Sequence, residues 1–458
     1  MIMKKRNSSA MVVVVVSLAL IVAVLLVFEI SMSSISTLRA AGSISSPTST
    51  SQGKIWRSSF DEEGRGKEHV GKQVISCDRS HREYDMCSVN GANVVDPVSS
   101  TFFLKDPTVS SVGSIVVEKI KPYPRKWESF PMKRIKELTI TSGPSGPKCE
   151  ARHNSPALVF SAGGYTGNVY HDFNDGFIPL FITVNSIYKN RDVILVVSKA
   201  RDWWINRYKN LLHAFSSHPI VNLDNDTSTH CFPSATLGLI SYGFITLMPN
   251  SSQTLLHFRA FLDKAFGSHG QNHPPKSDSR PQLLFLSRPR GIGREIMNQN
   301  EAIQVAKEVG FDVILFEPTG TTSLQQIYAL LNSSHAMVGI HGAALTHALF
   351  LRPGSVFMQV MPLGTNWVGK MCFGEPARAM GIHYIEYRIN VEESSLVEKY
   401  GKNETVIKDP GRFQGGNWSV DVMSIYLKEQ NVILDLVRFR EYLNETYRKA
   451  KVFMDKME

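Results

Sequence analysis

A chain of 458 residues exceeds what one hydrophobic core sustains and implies two domains of ordinary size plus extensions. With 43% hydrophobic and 20% charged residues the composition is that of a globular protein, which excludes a disordered chain. The formal charge of +9 owes part of its excess to Lys4, Lys5 and Arg6, and no basic stripe interleaved with aromatics runs through the body, so nucleic acid is set aside as a partner.

Residues 1–10 read as a short cytosolic tail. Residues 11–30 read as a membrane-spanning helix: from Met11 to Phe28 the sequence is apolar apart from Ser17, and its positive flank belongs on the cytosolic side. A cleaved signal peptide ending near Ala40-Ala41 is the alternative. The apolar run exceeds a signal h-region, however, and Arg39 sits badly before such a site. The expectation is a retained signal-anchor with the body on the lumenal side. Residues 31–71, rich in Ser and Thr, read as a flexible stem. Glycosylation sequons at Asn225, Asn250, Asn332, Asn403, Asn417 and Asn444 suit a lumenal body, whereas Asn7 would be cytosolic. Cys77 and Cys87 lie close enough in CDRSHREYDMC to close a small loop; Cys149, Cys231 and Cys372 have no assignable pairing. No CxxC pair occurs, so no zinc site is expected.

Residues 72–270 read as a first α/β domain. Its opening shows short β-like runs, STFFL and SIVVEKI, then KIKPYPRKWE, whose two prolines make Lys121 to Arg125 an extended, exposed stretch. From Pro156 the pattern alternates: PALVF and DVILVVS as strands, FIPLFITVNSIY, WINRYKNLLHAF and TLLHFRAFLDKAF as helices. Between PALVF and its helix lies SAGGYTGNVYHDFND, in the strand-end position where α/β sheets bind ligands. His171 and Asp175 are four apart there, on one side of a helical turn, and are the candidate catalytic pair. The plain alternative is capping, with Asp172 or Asn174 starting the helix. Asp224-Asn225-Asp226 has the Asp-x-Asp form of metal-dependent sugar transferases, but it overlaps a sequon in a loop, and no metal is expected.

Residues 271–282, rich in turn formers, read as a linker. Residues 283–420 read as a second α/β domain: LLFLS, DVILFE and AMVGI as strands, QNEAIQVAKEVG and SLQQIYALLNSS as helices. After LLFLS come Arg288, Arg290 and Arg294; after AMVGI come His341, Gly342, Ala343 and Ala344, opening another helix. Guanidinium groups clamp phosphate bidentately, and free N–H groups at a helix start attract it, so this edge suits a diphosphate-bearing ligand. Residues 421–458 read as a C-terminal helical segment, amphipathic from Asp435 on. Two α/β domains, one ready for diphosphate and one for acid/base chemistry, favour transfer from a nucleotide-linked donor.

Several segments carry a resemblance: CDRSHREYDMC, KPYPRKWE, PALVFSAGGYTGNVYHDFNDGFIPLFIT, HCFPSATLGL, MVGIHGAALTHALFLRPGSVFMQVMPLG, FGEPARAMGIHYIEY and IYLKEQNVILDLVRFREYL. Together they resemble the plant members of glycosyltransferase family 61, in particular the xylan arabinosyl- and xylosyltransferases. The resemblance implies a GT-B-like architecture of two Rossmann-like domains facing a cleft, and a type II Golgi membrane protein. It further implies an inverting transfer, without metal or other cofactor, from UDP-arabinofuranose or UDP-xylose to xylan, in association with other xylan-synthesis enzymes. It assigns nucleotide binding to Arg288, Arg294, Asn298, His341, Gly342, Ala343 and Ala344, with Thr346 and His347 as weaker candidates. The interval PRGIG between Arg288 and Arg294 is longer than in the family, which makes Arg290 an alternative to Arg294. Either His171 or Asp175 would be the general base, or the two together. The rivals are a protein N-glycan β-1,2-xylosyltransferase and a non-catalytic lumenal subunit.

Overall fold

Apolar runs that alternate with helical stretches build two sheets, and the path of the chain between them brings the candidate residues together. The computed structural model describes residues 74–106, 115–189, 191–247, 253–267, 280–416 and 418–456. The tail, anchor and stem, most of the linker, and the sequons at Asn250 and Asn417 lie outside the described residues. Among the described residues no helix is long and apolar enough to cross a membrane. All described residues belong to one compact unit, Arg65–Glu458.

The first sheet contains β1 (Val74–Asp78), β2 (Met86–Asp96), β3 (Thr101–Lys105), β4 (Ile115–Ile120), β5 (Leu138–Gly143), β6 (Ala151–Arg152), β7 (Ala157–Ser161), β8 (Ile194–Ser198), β9 (Val221–Asn222) and β10 (His230–Leu237). Its main order is β4-β5-β3-β2-β10-β7-β8-β9. β10, β7, β8 and β9 run parallel, as the alternating pattern from Pro156 demands, whereas β2 pairs antiparallel with β1, β3 and β10. The domain is therefore mixed rather than uniformly parallel. β10 joins the two halves and is not evident from periodicity, because Pro233 interrupts HCFPSATL; the register shifts there, between Phe232 and Ser234. Two disulfides tie this lobe, Cys77–Cys87 across the β1–β2 pair and Cys149–Cys231, with Cys372 free and buried.

The second sheet holds β11 (Gln282–Leu286), β12 (Asp312–Phe316), β13 (Ala336–Ile340), β14 (Val356–Met361) and β15 (His383–Arg388) in the order β12-β11-β13-β14-β15, parallel throughout. Every residue of β11, β13 and β14 is buried, which explains their continuous apolar runs. The helix Gln299–Val309 ends at Gly310, whose φ of 119° suits glycine alone. The C-terminal helix Leu436–Asp455, capped by Asp435, buries Phe439, Leu443, Ala450, Phe453 and Met454 on this lobe, as its amphipathic pattern predicts.

The lobes share one core. Leu158 and Phe160 of the first sheet lie in the same apolar cluster as Leu284, Leu286, Met337 and Phe357 of the second, bridged by Phe258, Ile327 and Phe350. Each such side chain contributes about 1.5–3 kcal/mol by its burial, so the seam docks the lobes firmly. Arg207 of the first lobe adds a hydrogen bond to the Gly320 carbonyl of the second (2.9 Å).

Candidate active site

On the first lobe the chain leaves β7 through a glycine-rich turn and re-enters helix at Asn168, whose side chain caps Tyr170 N–H (3.0 Å). The helix opens as Val169–His171 and widens into a π-helical stretch, Asp172–Phe177. Such widened turns recur at functional sites. His171 and Asp175 still meet across it, Nδ1 to Oδ2 at 2.8 Å. Asp175 is 2% exposed and saturated with donors: Oδ2 also accepts from the Tyr123 hydroxyl (3.0 Å), while Oδ1 accepts from Arg125 Nε (2.7 Å) and Asn174 Nδ2 (2.5 Å). Burial by itself would raise its pKa; the His171 hydrogen bond and the Arg125 charge outweigh it and hold the carboxyl below the usual carboxylate range. An ionised carboxylate only accepts, so His171 Nδ1 carries a proton, and in the neutral imidazole Nε2 keeps its lone pair. His171 is the half-buried partner of the two, and it alone offers a proton acceptor to a ligand. Tyr123 and Arg125 correct the expectation for Lys121 to Arg125. The stretch bends rather than running extended, with Tyr123 N–H donating to the Lys121 carbonyl (2.8 Å) and Arg125 at a φ of 72°; Pro122, Tyr123 and Pro124 are buried rather than exposed, and the turn delivers two donors to the carboxylate.

On the second lobe, β11 and β13 are neighbours, with Leu286 opposite Gly339, so the loops that follow them converge. Gly342 has extended backbone, and what requires glycine is space: a Cβ there would overlap the Arg288 guanidinium, with Arg294 Nη1 at 3.5 Å. Arg294 Nη1 donates to the His341 carbonyl (2.9 Å) and Nε to the Leu427 carbonyl (2.8 Å). Its φ of 58°, after Gly291 at 80° and Gly293 at 74°, is strained backbone costing about 1–3 kcal/mol. Burial, reinforced by the neighbouring Arg288 charge, pushes the Arg294 pKa down to about 9. Among the described residues neither guanidinium forms an ion pair with a carboxylate. Two crowded cations of this kind make a site for an anion.

His341 is buried beside them. Tyr384 donates to Gln359 Oε1 (2.6 Å), which orients the Gln359 amide so that its Nε2 donates to His341 Nδ1 (2.9 Å). The proton of the neutral imidazole therefore resides on Nε2. Gly369 gives the amide room, since a Cβ there would lie 2.9 Å from Gln359 Nε2. The two halves adjoin through rings: His171 to Tyr170 at 5.3 Å, Tyr170 to Phe373 at 5.6 Å and Phe373 to His341 at 5.5 Å.

The profile of one family, Glycosyltransferase 61, matches residues 170–358, from the turn bearing His171 through the arginine loop and the glycine turn into β14. The xylan glycosyltransferase MUCI21 of Arabidopsis thaliana is 38% identical over 401 residues, which cover 83% of this chain and 80% of that protein. The chain belongs to glycosyltransferase family 61. The beta-1,2-xylosyltransferase XYXT1 of Oryza sativa subsp. japonica is 33% identical over 399 residues, 82% of this chain and 84% of the relative. The alpha-1,3-arabinosyltransferase XAT3 of the same organism is 32% identical over 394 residues, 84% and 66% respectively.

Not every residue singled out in the sequence of this family 61 glycosyltransferase reaches the site. Arg288, Arg294, His341 and Gly342 converge, with Ala343 and Ala344 half-buried at the start of the expected helix, which is a 3-10 helix, Ala343–Phe350. Arg290 is exposed and outside this group. Asn298 is spent elsewhere: its amide donates to the Leu434 carbonyl and accepts from Leu434 N–H, both at 2.9 Å, fastening the C-terminal segment. Thr346 is 2% exposed and lines the seam with Ile245, Cys372 and Phe373, away from any open face. The Asp-x-Asp carboxylates point to separate partners, Asp224 to Lys136 (3.6 Å) and Asp226 to His230 (2.9 Å). Asn225, Asn403 and Asn444 are exposed. Asn332 instead lies in the helix Leu324–Ser333, its Oδ1 accepting from Arg259 (2.6 Å), and Ser334 of its sequon is fully buried.

Buried neutral imidazoles carry a pH consequence. Burial, then Arg294 and Arg288, lowers the His341 pKa to about 3; burial, then Arg207, lowers that of His347 to about 4. Both lie below the unfolded value of about 6.5. The unfolded chain therefore takes up protons that the native protein refuses as pH falls, and stability complete above pH about 6.5 is lost on acidification. Asp172, raised to about 6 by burial, works the other way over part of this range, one carboxyl against three imidazoles once His335, lowered to about 4 by burial, is included. The urea midpoint is expected to fall between pH 7 and pH 5; an unchanged midpoint would contradict this.

Proposed function

We propose that this glycosyltransferase moves a pentose, arabinofuranose or xylose, from its UDP-sugar onto xylan by one inverting displacement that uses no metal ion. The observation that carries the reading is the two half-buried guanidinium groups over Gly342, without a carboxylate partner among the described residues, adjoining the His171–Asp175 pair through Tyr170 and Phe373. Xylan as substrate class is taken from MUCI21, a xylan glycosyltransferase, and the two candidate pentoses from XAT3, an arabinosyltransferase, and XYXT1, a xylosyltransferase.

In this mechanism the acceptor hydroxyl attacks the anomeric carbon from the face opposite UDP while His171 Nε2 takes its proton, and Asp175 stabilises the imidazolium that forms. Charge growing on the departing diphosphate falls to Arg288, Arg294 and the His341 Nε2–H, preorganised donors that do what a divalent ion does elsewhere. The two sheets then act as the paired Rossmann-like domains of a GT-B-like enzyme, with both half-sites at carboxyl ends of parallel strands. A Golgi address, with residues 11–30 as anchor and 31–71 as stem, is supported by the two disulfides, which suit an oxidising compartment.

The test is to incubate the full-length protein with each UDP-pentose, xylo-oligosaccharides and excess chelator. One donor is expected to yield product with its anomeric configuration inverted. Strict dependence on manganese would refute the metal-free mechanism, transfer only to an N-glycan would move the acceptor class, and absence of both turnover and UDP binding would leave a scaffold.

A further inference from the structure

Beside His171 the surface carries aromatic rings that the transfer chemistry does not use. Tyr165 stacks on the His171 ring at 4.3 Å and 27°, and Phe130 lies against Tyr165 at 5.8 Å and 32°. Phe130 is 56% exposed, and the Arg134 guanidinium sits 4.3 Å from its ring centroid. Tyr165 is fixed in place: its hydroxyl donates to Glu128 Oε2 (2.8 Å), whose other oxygen takes Arg125 Nη1 (2.5 Å), and its N–H donates to the Tyr123 hydroxyl oxygen (3.3 Å). The network that holds the Asp175 carboxylate thus also holds this ring. Leaving a large ring in water costs apolar burial, and locking its neighbour costs conformational freedom, so a rigid, half-wet aromatic step adjoining a proton acceptor calls for an occupant.

We propose that Phe130 and Tyr165 form a stacking platform for the acceptor glycan, seating the sugar rings next to the one whose hydroxyl reacts. A sugar ring presents a flat face of C–H groups and an edge of hydroxyls. It matches this cluster better than an apolar peptide does, since the exposed apolar surface is the Phe130 ring, with the Arg134 guanidinium over it and Arg125 and Glu128 against the neighbouring Tyr165. The stack is continuous with His171, so a chain lying on it leads to Nε2. Trp127, 55% exposed with Arg82 over its ring at 5.9 Å, lies on the same segment of chain. The inference rests on the transfer reading above and deepens it by giving the enzyme a means of telling an oligomer from a single sugar.

The test uses the full-length protein and the substitution Phe130→Ala, at a position exposed enough to leave folding intact. KM for xylohexaose is expected to rise roughly 5- to 30-fold, the loss of one aromatic contact of about 1–2 kcal/mol. kcat and UDP affinity should be unchanged, and Phe130→Trp should restore KM. A wild-type KM in Phe130→Ala, or a fall in kcat without a change in KM, would overturn the platform. Calorimetric titration with xylohexaose, mannohexaose and cellohexaose separates this outcome from failure of the xylan reading. If the wild type binds only another glycan and Phe130→Ala loses that binding, the platform stands and xylan falls; if no glycan binds the wild type, the platform is wrong.

Discussion

Replacing His171 by Ala is expected to lower kcat by about 10²–10⁴-fold, the usual contribution of a positioned general base, with UDP bound as tightly as before. The expectation follows from the asymmetry of the pair. Asp175 is walled in by four donors and has no lone pair turned to a ligand, whereas His171 Nε2 has one. Asp175→Asn keeps the shape but places an amide against Nδ1. When the amide donates, the imidazole proton moves to Nε2 and the base is abolished; a loss near that of His171→Ala should result, on the order of 10³–10⁴ as when a triad carboxylate is neutralised. Arg125 keeps Glu128 as a partner, so the fold should survive at less than the roughly 3–5 kcal/mol that breaking an isolated buried pair costs. Turnover of Asp175→Asn at the wild-type rate would exclude the dyad. A loss of UDP affinity in both variants would instead show that they act through the donor site.

Arg288→Ala and Arg294→Ala should each weaken UDP about 10- to 100-fold by calorimetry, since a hydrogen bond to a charged group is worth about 1.5–3 kcal/mol. The effect should shrink in high salt as the attraction is screened. Lysine at either position should rescue little, because a point charge does not reproduce the planar fork. Gly342→Ala tests the geometry rather than the charge: its methyl occupies the space of the Arg288 guanidinium and should approach the Arg288→Ala affinity with both cations retained. If Gly342→Ala binds UDP normally, the guanidinium is not seated where the structure has it.

Those two experiments divide along the line between local and long-range information. Four-residue spacing in HDFND brings His171 onto Asp175 through a single helical turn, and the apolar runs of β7, β8, β11, β13 and β14 follow from burial on both faces of a parallel sheet. Such features depend on neighbours within a turn or a strand, so they are legible in the chain alone. β10 is not, because Pro233 disrupts its pattern and pairing with β2 and β7 supplies what periodicity lacks.

The amino-acid sequence by itself determined the α/β alternation, the two strand-end loops and the histidine–aspartate spacing. Only the tertiary structure decided which residues those loops meet. Tyr123 and Arg125 reach Asp175 across 52 and 50 residues, Arg294 rather than Arg290 turns to His341, Asn298 is drawn off to Leu434, and Cys149 finds Cys231. Each depends on strand order and register in the folded sheets, and a side chain's identity does not reveal which distant backbone will pack against it.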